Sequence, residues 1–313
     1  MIVDKIPVNV ISGFLGSGKT TAIIKLLQEK TRDELWAVII NEFGKISIDG
    51  QTLQSSSDSE NIFEISGGCI CCSAKGYFQE NLDKIITKEK YSRIIIEPSG
   101  LGGIEMVTDI VSTYPNLKLK KVICLVDFLC VSNSRLQQLP IYKTQIRKAD
   151  LIVFTKGDLL EDPTHEEHLI ELFKSYYPEK QYIVNYDHKD FRQALLDMDD
   201  QTAVDEIKFR MILNRDSRLT DNNYDINNLI FNIDTEFSTH KLTQFFIQHT
   251  EVLRAKGHLL TEKGWTLVNY TLSGCIFEPC QPKNQGELVI ISERWPIDET
   301  GTLKEQIIST LNK

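Results

Sequence analysis

Gly13-Phe14-Leu15-Gly16-Ser17-Gly18-Lys19-Thr20 is a complete Walker A loop, and its reading decides the fold. Before it, residues 6–12 form an apolar, β-rich run. After it, from residue 20 to 29, apolar side chains recur at helical spacing. A strand before and a helix after separate a phosphate-binding loop from a chance glycine-rich turn. Glycines let the backbone curl around a phosphate, with successive N–H groups pointing inward at a helix N-terminus. The expected nucleotide contacts are therefore Gly13, Gly16, Ser17, Gly18, Lys19, Thr20 and Thr21. Lys19 suits the β- and γ-phosphates and acts as the catalytic cation, the Thr20 hydroxyl suits Mg²⁺, and Thr21 reaches the α-phosphate.

Working outward, further buried-strand patterns lie at 36–40, 93–97, 121–127 and 151–155, with a weaker one at 182–185. They are continuous apolar runs rather than alternating ones, as in a parallel sheet covered on both faces. Helical patterns at 77–88, 103–113, 134–148 and 165–176 separate them. The alternation predicts an α/β, doubly wound, mostly parallel sheet of the P-loop NTPase kind over residues 1–190. Apolar periodicity then fades, and 191–226 reads as a linker with one helix near 190–197. Residues 227–313 follow as a smaller α+β domain. Its strands are expected at 228–233, 252–260, 265–272 and 287–292, in an antiparallel sheet, and its helices at 239–250 and 302–311.

Composition narrows the function. The 313 residues carry 35 Lys+Arg against 44 Asp+Glu, a formal charge of −9, which is the wrong sign for a general nucleic-acid binder. No apolar run approaches the ~18 residues of a membrane span, so no membrane partner is expected. The N-terminal residues form a core strand rather than a secretory signal. Of seven cysteines, three fall within residues 69–72 and the others are Cys124, Cys130, Cys275 and Cys280. An odd, clustered set of this kind implies a reducing cytoplasm with one ligand cluster, not a disulfide scaffold.

Four segments beyond the loop carry chemistry. Glu97 ends a buried strand in Ile95-Ile96-Glu97-Pro98-Ser99-Gly100, where a carboxylate can hold a Mg²⁺-bound water or orient the attacking one; the competing role is a cap for the next helix. In Thr155-Lys156-Gly157-Asp158, Asp158 can accept hydrogen bonds from the two donors of guanine that adenine does not present together. Lys156 would lie along the ring face, and Thr155 stands where GTPases usually carry asparagine. Asn41-Glu42-Phe43-Gly44, with Asp49 after it, occupies the place of a γ-phosphate sensor, and Glu42 is either a metal ligand or a plain exposed acid.

A strand end near Ile65 leads into the last segment, Gly67-Gly68-Cys69-Ile70-Cys71-Cys72. It puts three soft ligands, Cys69, Cys71 and Cys72, where glycines let them converge on a transition metal. A redox thiol site is the competing reading, and clustering argues against inert packing. Elsewhere, Cys124 and Cys130 read as core residues and Cys275/Cys280 as a weak metal pair. Thr164 and Glu167 read as a capping box beside His165 and His168, and Val252–Gly257 as a structural strand with exposed basic residues.

Taken in order, Gly13–Thr21, Asn41–Gly44, Gly68–Cys72, Glu97–Gly100 and Gln145–Asp150 with Lys156–Asp158 resemble the CobW-type metallochaperone GTPases, relatives of the UreG and HypB proteins. Leu253–Gly257 and Gly286–Ile291 are similar to that family's C-terminal domain. The resemblance implies hydrolysis of GTP to GDP and phosphate with Mg²⁺. It also implies a divalent metal (Zn²⁺, with Co²⁺ as the alternative) at the motif of Cys69, Cys71 and Cys72, to which the residue reading adds Glu42 as a candidate ligand. The implied partners are a client apo-metalloprotein or cofactor-insertion protein and a nucleotide-dependent homodimer. Two departures stand out: Thr155 replaces asparagine, and with only six histidines the chain lacks a histidine-rich stretch. A regulatory GTPase acting by protein contacts, with the cysteines as sensor, is the alternative, and a small-molecule kinase a more distant one.

Overall fold

The computed structural model describes residues 5–31, 33–42, 61–66, 73–88, 90–160, 162, 164–183, 191, 195, 224–293, 305, 307 and 308. The chain divides into two compact units, Met1–Thr220 and Asp221–Lys313.

In the first unit, seven strands form one sheet in the order β3-β2-β4-β1-β5-β6-β7, with every neighbouring pair parallel. They are β1 (Ile6–Gly13), β2 (Trp36–Glu42), β3 (Ile62–Ser66), β4 (Arg93–Glu97), β5 (Leu117–Asp127), β6 (Leu151–Thr155) and β7 (Gln181–Ile183). Helices α1 (Lys19–Glu29), α2 (Ser73–Thr87), α3 (Ile104–Thr113), α4 (Phe128–Val131), α5 (Pro140–Lys148) and α6 (His165–Tyr176) connect them. Alternation along β1 sends Val8 and Val10 into a core with Phe78, Leu82, Ile104 and Val107 of α2 and α3. It sends Ile11 into another with Ala22, Ile23 and Leu26 of α1. Covering on both faces explains why these strands are apolar throughout. Phe191 and Leu195, which the sequence assigns to the linker, belong to the second of these cores, an i, i+4 pair buried beside α1.

β1 is the pivot. The strand before it in sheet order is β4 and the one after is β5, so the chain order reverses around β1. In such sheets ligands bind in the crevice at the carboxyl ends of the strands flanking the reversal. The phosphate loop leaves β1 at that edge. Glu97, Asp127 and Thr155 terminate β4, β5 and β6 at the same edge.

The second unit is a sheet in the order β12-β11-β10-β13-β8, with β9 beside β10. Its strands are β8 (Tyr224–Phe231), β9 (Glu236–Phe237), β10 (Val252–Thr261), β11 (Gly264–Thr271), β12 (Gly274–Pro279) and β13 (Gly286–Glu293), antiparallel except at β9. One face packs on α7 (Thr239–Gln248) through Leu242, Phe245, Phe246, Ala255, Leu259 and Val268. Gly257 of β10 is in register with Leu288 of β13, and the strands leave no room for a side chain: a Cβ there would overlap the Glu287 carbonyl oxygen and come within 2.7 Å of Leu288 Cα. The expectation that the basic residues of Val252–Gly257 are exposed fails at Lys256, which is 8% exposed within the sheet. No helix among the described residues is long and apolar enough to cross a membrane.

Candidate functional site

The site is built on the turn from β1 into α1. Gly13, Gly16 and Gly18 all take positive φ. At Gly13 space forbids a side chain as well: a Cβ would strike Ser17 Oγ and lie 2.6 Å from the Leu125 carbonyl of β5. Gly18 caps α1 in the left-handed conformation with no side chain bonded to the helix end, and no acidic residue stands in the first turn. The partial positive charge of that helix end is thus left for an external anion. Lys19 is 7% exposed, and its ammonium donates to the Phe14 carbonyl at 3.2 Å, which holds it across the loop. Ser17 Oγ is buried with no hydrogen-bond partner among the described residues.

Across the sheet, the Thr20 hydroxyl donates to both carboxylate oxygens of Glu97, each at 3.1 Å. Glu97 is 6% exposed, held at the end of β4 one strand from the loop. A hydroxyl and a carboxylate converging beside a lysine form an all-oxygen donor set, the kind a hard cation such as Mg²⁺ takes. The segment after Glu97 lies against the loop, since a Cβ on Gly100 would be 2.7 Å from the Leu15 side chain. Gln145 of α5, fully buried, donates to the Gly100 carbonyl at 2.9 Å and keeps that segment in place.

On the other flank, Thr155 Oγ1 donates to the Ser17 carbonyl at 2.9 Å, fastening the end of β6 to the loop. Lys156 has φ 62, the one positive value on a non-glycine among the described residues, and its ammonium meets Asp127 Oδ2 at 2.6 Å. Asp158 follows in a 3-10 turn over Gly157–Leu159 and is exposed, open to a base. Beneath the loop, Cys124 is paired in register with Ser12. Burial pushes its thiol up to about 12, against smaller downward pulls from the Ser12 hydroxyl and the Lys19 charge. It stays a neutral core group, as expected of Cys124, and Cys130 is likewise buried.

The family described as CobW/HypB/UreG, nucleotide-binding domain, matches residues 7–184, which takes in every feature just described. The chain belongs to the CobW/HypB/UreG family. Among relatives, the zinc chaperone YeiR of Escherichia coli (strain K12) is 37% identical over 153 residues, 48% of this chain and 46% of that protein. The zinc chaperone CobW of a Sinorhizobium species is 32% identical over 187 residues, 50% of this chain and 52% of that protein. The chain spans about half the length of the curated relatives it matches. Among solved structures, the Zn(II)-bound YjiA GTPase from E. coli aligns over 99% of this chain and 98% of its own, at 18% identity and a TM-score of 0.41.

Within this CobW/HypB/UreG domain the structure brings together Lys19, Thr20 and Glu97 on one side of the loop and Thr155, Lys156 and Asp158 on the other. Cys69, Cys71, Cys72 and Asp49 lie outside the described residues, and the ligand role of Glu42 is not described either. What is described is the backbone: Glu42 ends β2 in register with Ser66 of β3, and Ile40 is in register with Glu97 of β4. Among the described residues no group of three or more His, Cys, Asp or Glu side chains stands ready for a metal.

Elsewhere in this CobW/HypB/UreG chain, Cys275 packs into the core of the second unit, where burial pushes its thiol up to about 11. Cys280 lies five positions on, just past the end of β12, and no group of three or more His, Cys, Asp or Glu forms around the pair among the described residues. The capping box at Thr164 is corrected. Thr164 takes helical dihedrals and makes no side-chain cap, while the Asp162 carboxylate accepts its N–H at 2.9 Å and its hydroxyl at 2.7 Å. Asp127 and Gln145 are the residues to which the sequence reading gave no role. The available signal for Asp127 was the one used for Glu97: a lone acid closing a continuous apolar strand.

Proposed function

We propose that the chain is a GTP-hydrolysing metal chaperone that binds a divalent transition metal and hands it to a client metalloprotein or cofactor pathway in the cytoplasm. The observation that carries the nucleotide half is the Thr20 hydroxyl bonded to both oxygens of Glu97 beside Lys19. Mg²⁺ fits that oxygen pair, and when bound it would offset phosphate charge. Lys19 would hold the β- and γ-phosphate oxygens, Thr21 would reach the α-phosphate, and Glu97 would orient the attacking water. Water adds to the γ-phosphorus as its bond to the β-bridging oxygen breaks, giving GDP and phosphate. Asp158 would accept from guanine N1–H and the exocyclic amine.

The cargo reading rests on Cys69, Cys71 and Cys72 and draws support from relatives named zinc chaperones, so Zn²⁺ is the proposed metal and Co²⁺ the alternative. The backbone supports a link between the two halves. Glu42 and Ser66 close adjacent strands, Ser66 precedes Cys69 by three residues, and β2 borders the strand that ends in Glu97. A γ-phosphate with Mg²⁺ would thus favour one arrangement of the metal-binding segment and GDP another. The proposed partners are the client apoprotein and a second copy of the chain in a nucleotide-dependent dimer.

The test measures Zn²⁺ affinity with a GTP analogue, with GDP and with no nucleotide. Coupled sites typically differ by ~1–3 kcal/mol, or roughly 5- to 150-fold, and Zn²⁺ must tighten the GTP analogue by the same factor. Cys71→Ser and Cys72→Ser should remove both effects and leave nucleotide binding intact. Equal Zn²⁺ affinity in all three states would sink the chaperone switch, and GTP consumed only when an acceptor is added, with the phosphoryl group found on that acceptor and no free phosphate released, would replace the hydrolase with a kinase.

A further inference from the structure

Asp127 ends β5 and is 5% exposed, and its two oxygens are divided between two tasks. Oδ1 accepts the Leu129 N–H at 2.9 Å, capping α4. Oδ2 meets the Lys156 ammonium at 2.6 Å. Lys156 itself is fixed from the backbone side, because it adopts the left-handed conformation at φ 62 and caps the turn that carries Asp158. That turn is wedged from beneath. A Cβ on Gly157 would be 3.4 Å from the Phe128 ring, which stacks on Phe154 with centroids 4.6 Å apart and planes at 11°. Chain neighbours of the cap thus support the turn, and the cap's carboxylate tethers its lysine.

From this arrangement we propose that Asp127 is a positioning residue for the purine: it holds the Lys156 side chain in place so that an incoming base meets a preset cation and stem. The inference rests on the guanine reading of Asp158 and deepens it. An untethered lysine keeps its rotamer freedom until the base arrives and loses it on binding, whereas a tethered one has lost it already. The low exposure of the carboxylate keeps the pair less screened than a surface ion pair. Capping of α4 alone does not require a carboxylate, since a neutral oxygen caps equally well. Among the described residues the cation that meets this charge is Lys156.

The experiment uses the full chain and three probes: GDP, ADP and pyrophosphate, the last occupying the phosphate loop with no base. Native protein, Asp127→Asn, Lys156→Met and the double variant are titrated by calorimetry, and each is unfolded in urea. Asparagine keeps an oxygen for the Leu129 N–H and removes the charge. Native protein should bind GDP over ADP. Asp127→Asn should weaken GDP about tenfold, the scale of one charge-assisted hydrogen bond, with pyrophosphate affinity unchanged and a modestly lowered unfolding midpoint that reports the lost ion pair in the nucleotide-free protein. The double variant should bind GDP no more weakly than Lys156→Met alone, because Asp127 acts through that lysine. If Asp127→Asn fails to fold, Asp127→Ser retains a capping oxygen and gives the same comparison. GDP affinity unchanged in the variant, an equal loss for pyrophosphate, or additive losses in the double variant would each overturn the proposal and leave guanine selection standing. Equal binding of GDP and ADP by native protein would overturn the guanine reading and this inference together.

Discussion

Replacing Thr155 with valine removes one proton donor while nearly keeping the side chain's shape. Thr155 is 6% exposed, and its hydroxyl lies 2.9 Å from the Ser17 carbonyl in the phosphate loop. Valine fills the space and leaves that carbonyl without its donor, which costs about 1–3 kcal/mol for a buried acceptor. Part of this falls on the free protein as lost stability. The rest falls on the complex, because the loop must be held in its binding shape without help from β6. If half of ~2 kcal/mol appears in binding, GDP affinity drops about 5-fold. Titration with a ribose-labelled fluorescent GDP reads the second part, and urea unfolding without nucleotide reads the first. Thr155→Asn, which supplies an amide donor from the same position, should recover most of both. A Thr155→Val protein with native GDP affinity and native unfolding midpoint would refute the idea that Thr155 does the work usually done by asparagine in GTPases.

The other expectations are briefer. Lys19→Ala should abolish phosphate release by removing the charge facing the transferring group, and Glu97→Gln should slow single-turnover hydrolysis far more than it weakens nucleotide binding; near-native turnover would take Glu97 out of the mechanism. Gly257→Ala should destabilise the second unit by at least about 3 kcal/mol, seen as lost hydrogen-exchange protection in β10 and β13, because the added methyl collides with the Glu287 carbonyl. His258 is held below its ordinary 6.5, by burial first and then by Lys283 and Lys256, with Glu287 opposing. The unfolded chain therefore takes up a proton that the folded one resists, and stability of the second unit should fall as pH drops below 6.5. His258→Gln should flatten that dependence in denaturant melts, and an unchanged slope would dismiss it.

The parallel sheet was legible because strands buried on both faces have no choice but to be apolar. The runs at 93–97 and 151–155 match β4 and β6 residue for residue. Where that rule lapses, so does legibility. β5 begins at Leu117 rather than 121 because Lys118 and Lys120 alternate with leucines over its half-covered start. β12 was overlooked because its residues are mostly exposed or half-buried and Pro279 closes it, which is how an edge strand looks. The loop and Glu97 follow from local pattern, since phosphate chemistry restricts both the residue types and their place at a strand end. The tether between Asp127 and Lys156 spans 29 positions, and Gln145 reaches 45 positions back to Gly100, so no local pattern contains either. Lys256 departs from expectation for a different reason: alternation turns it away from the α7 face, yet it is 8% exposed, since a position outside one core need not face water.

The fastening of the phosphate loop on both flanks has a kinetic meaning. Gly13 admits no gap between the loop and Leu125, and Thr155 grips Ser17 from β6, so the turn is a stator set in place before any nucleotide arrives. Di- and triphosphate then meet a cradle of the same shape, with the γ-phosphate adding its contact to Lys19. A loop that does not change shape cannot turn that difference into movement, so movement must be carried by parts held less firmly, driven by the free energy with which the γ-phosphate favours one of their arrangements.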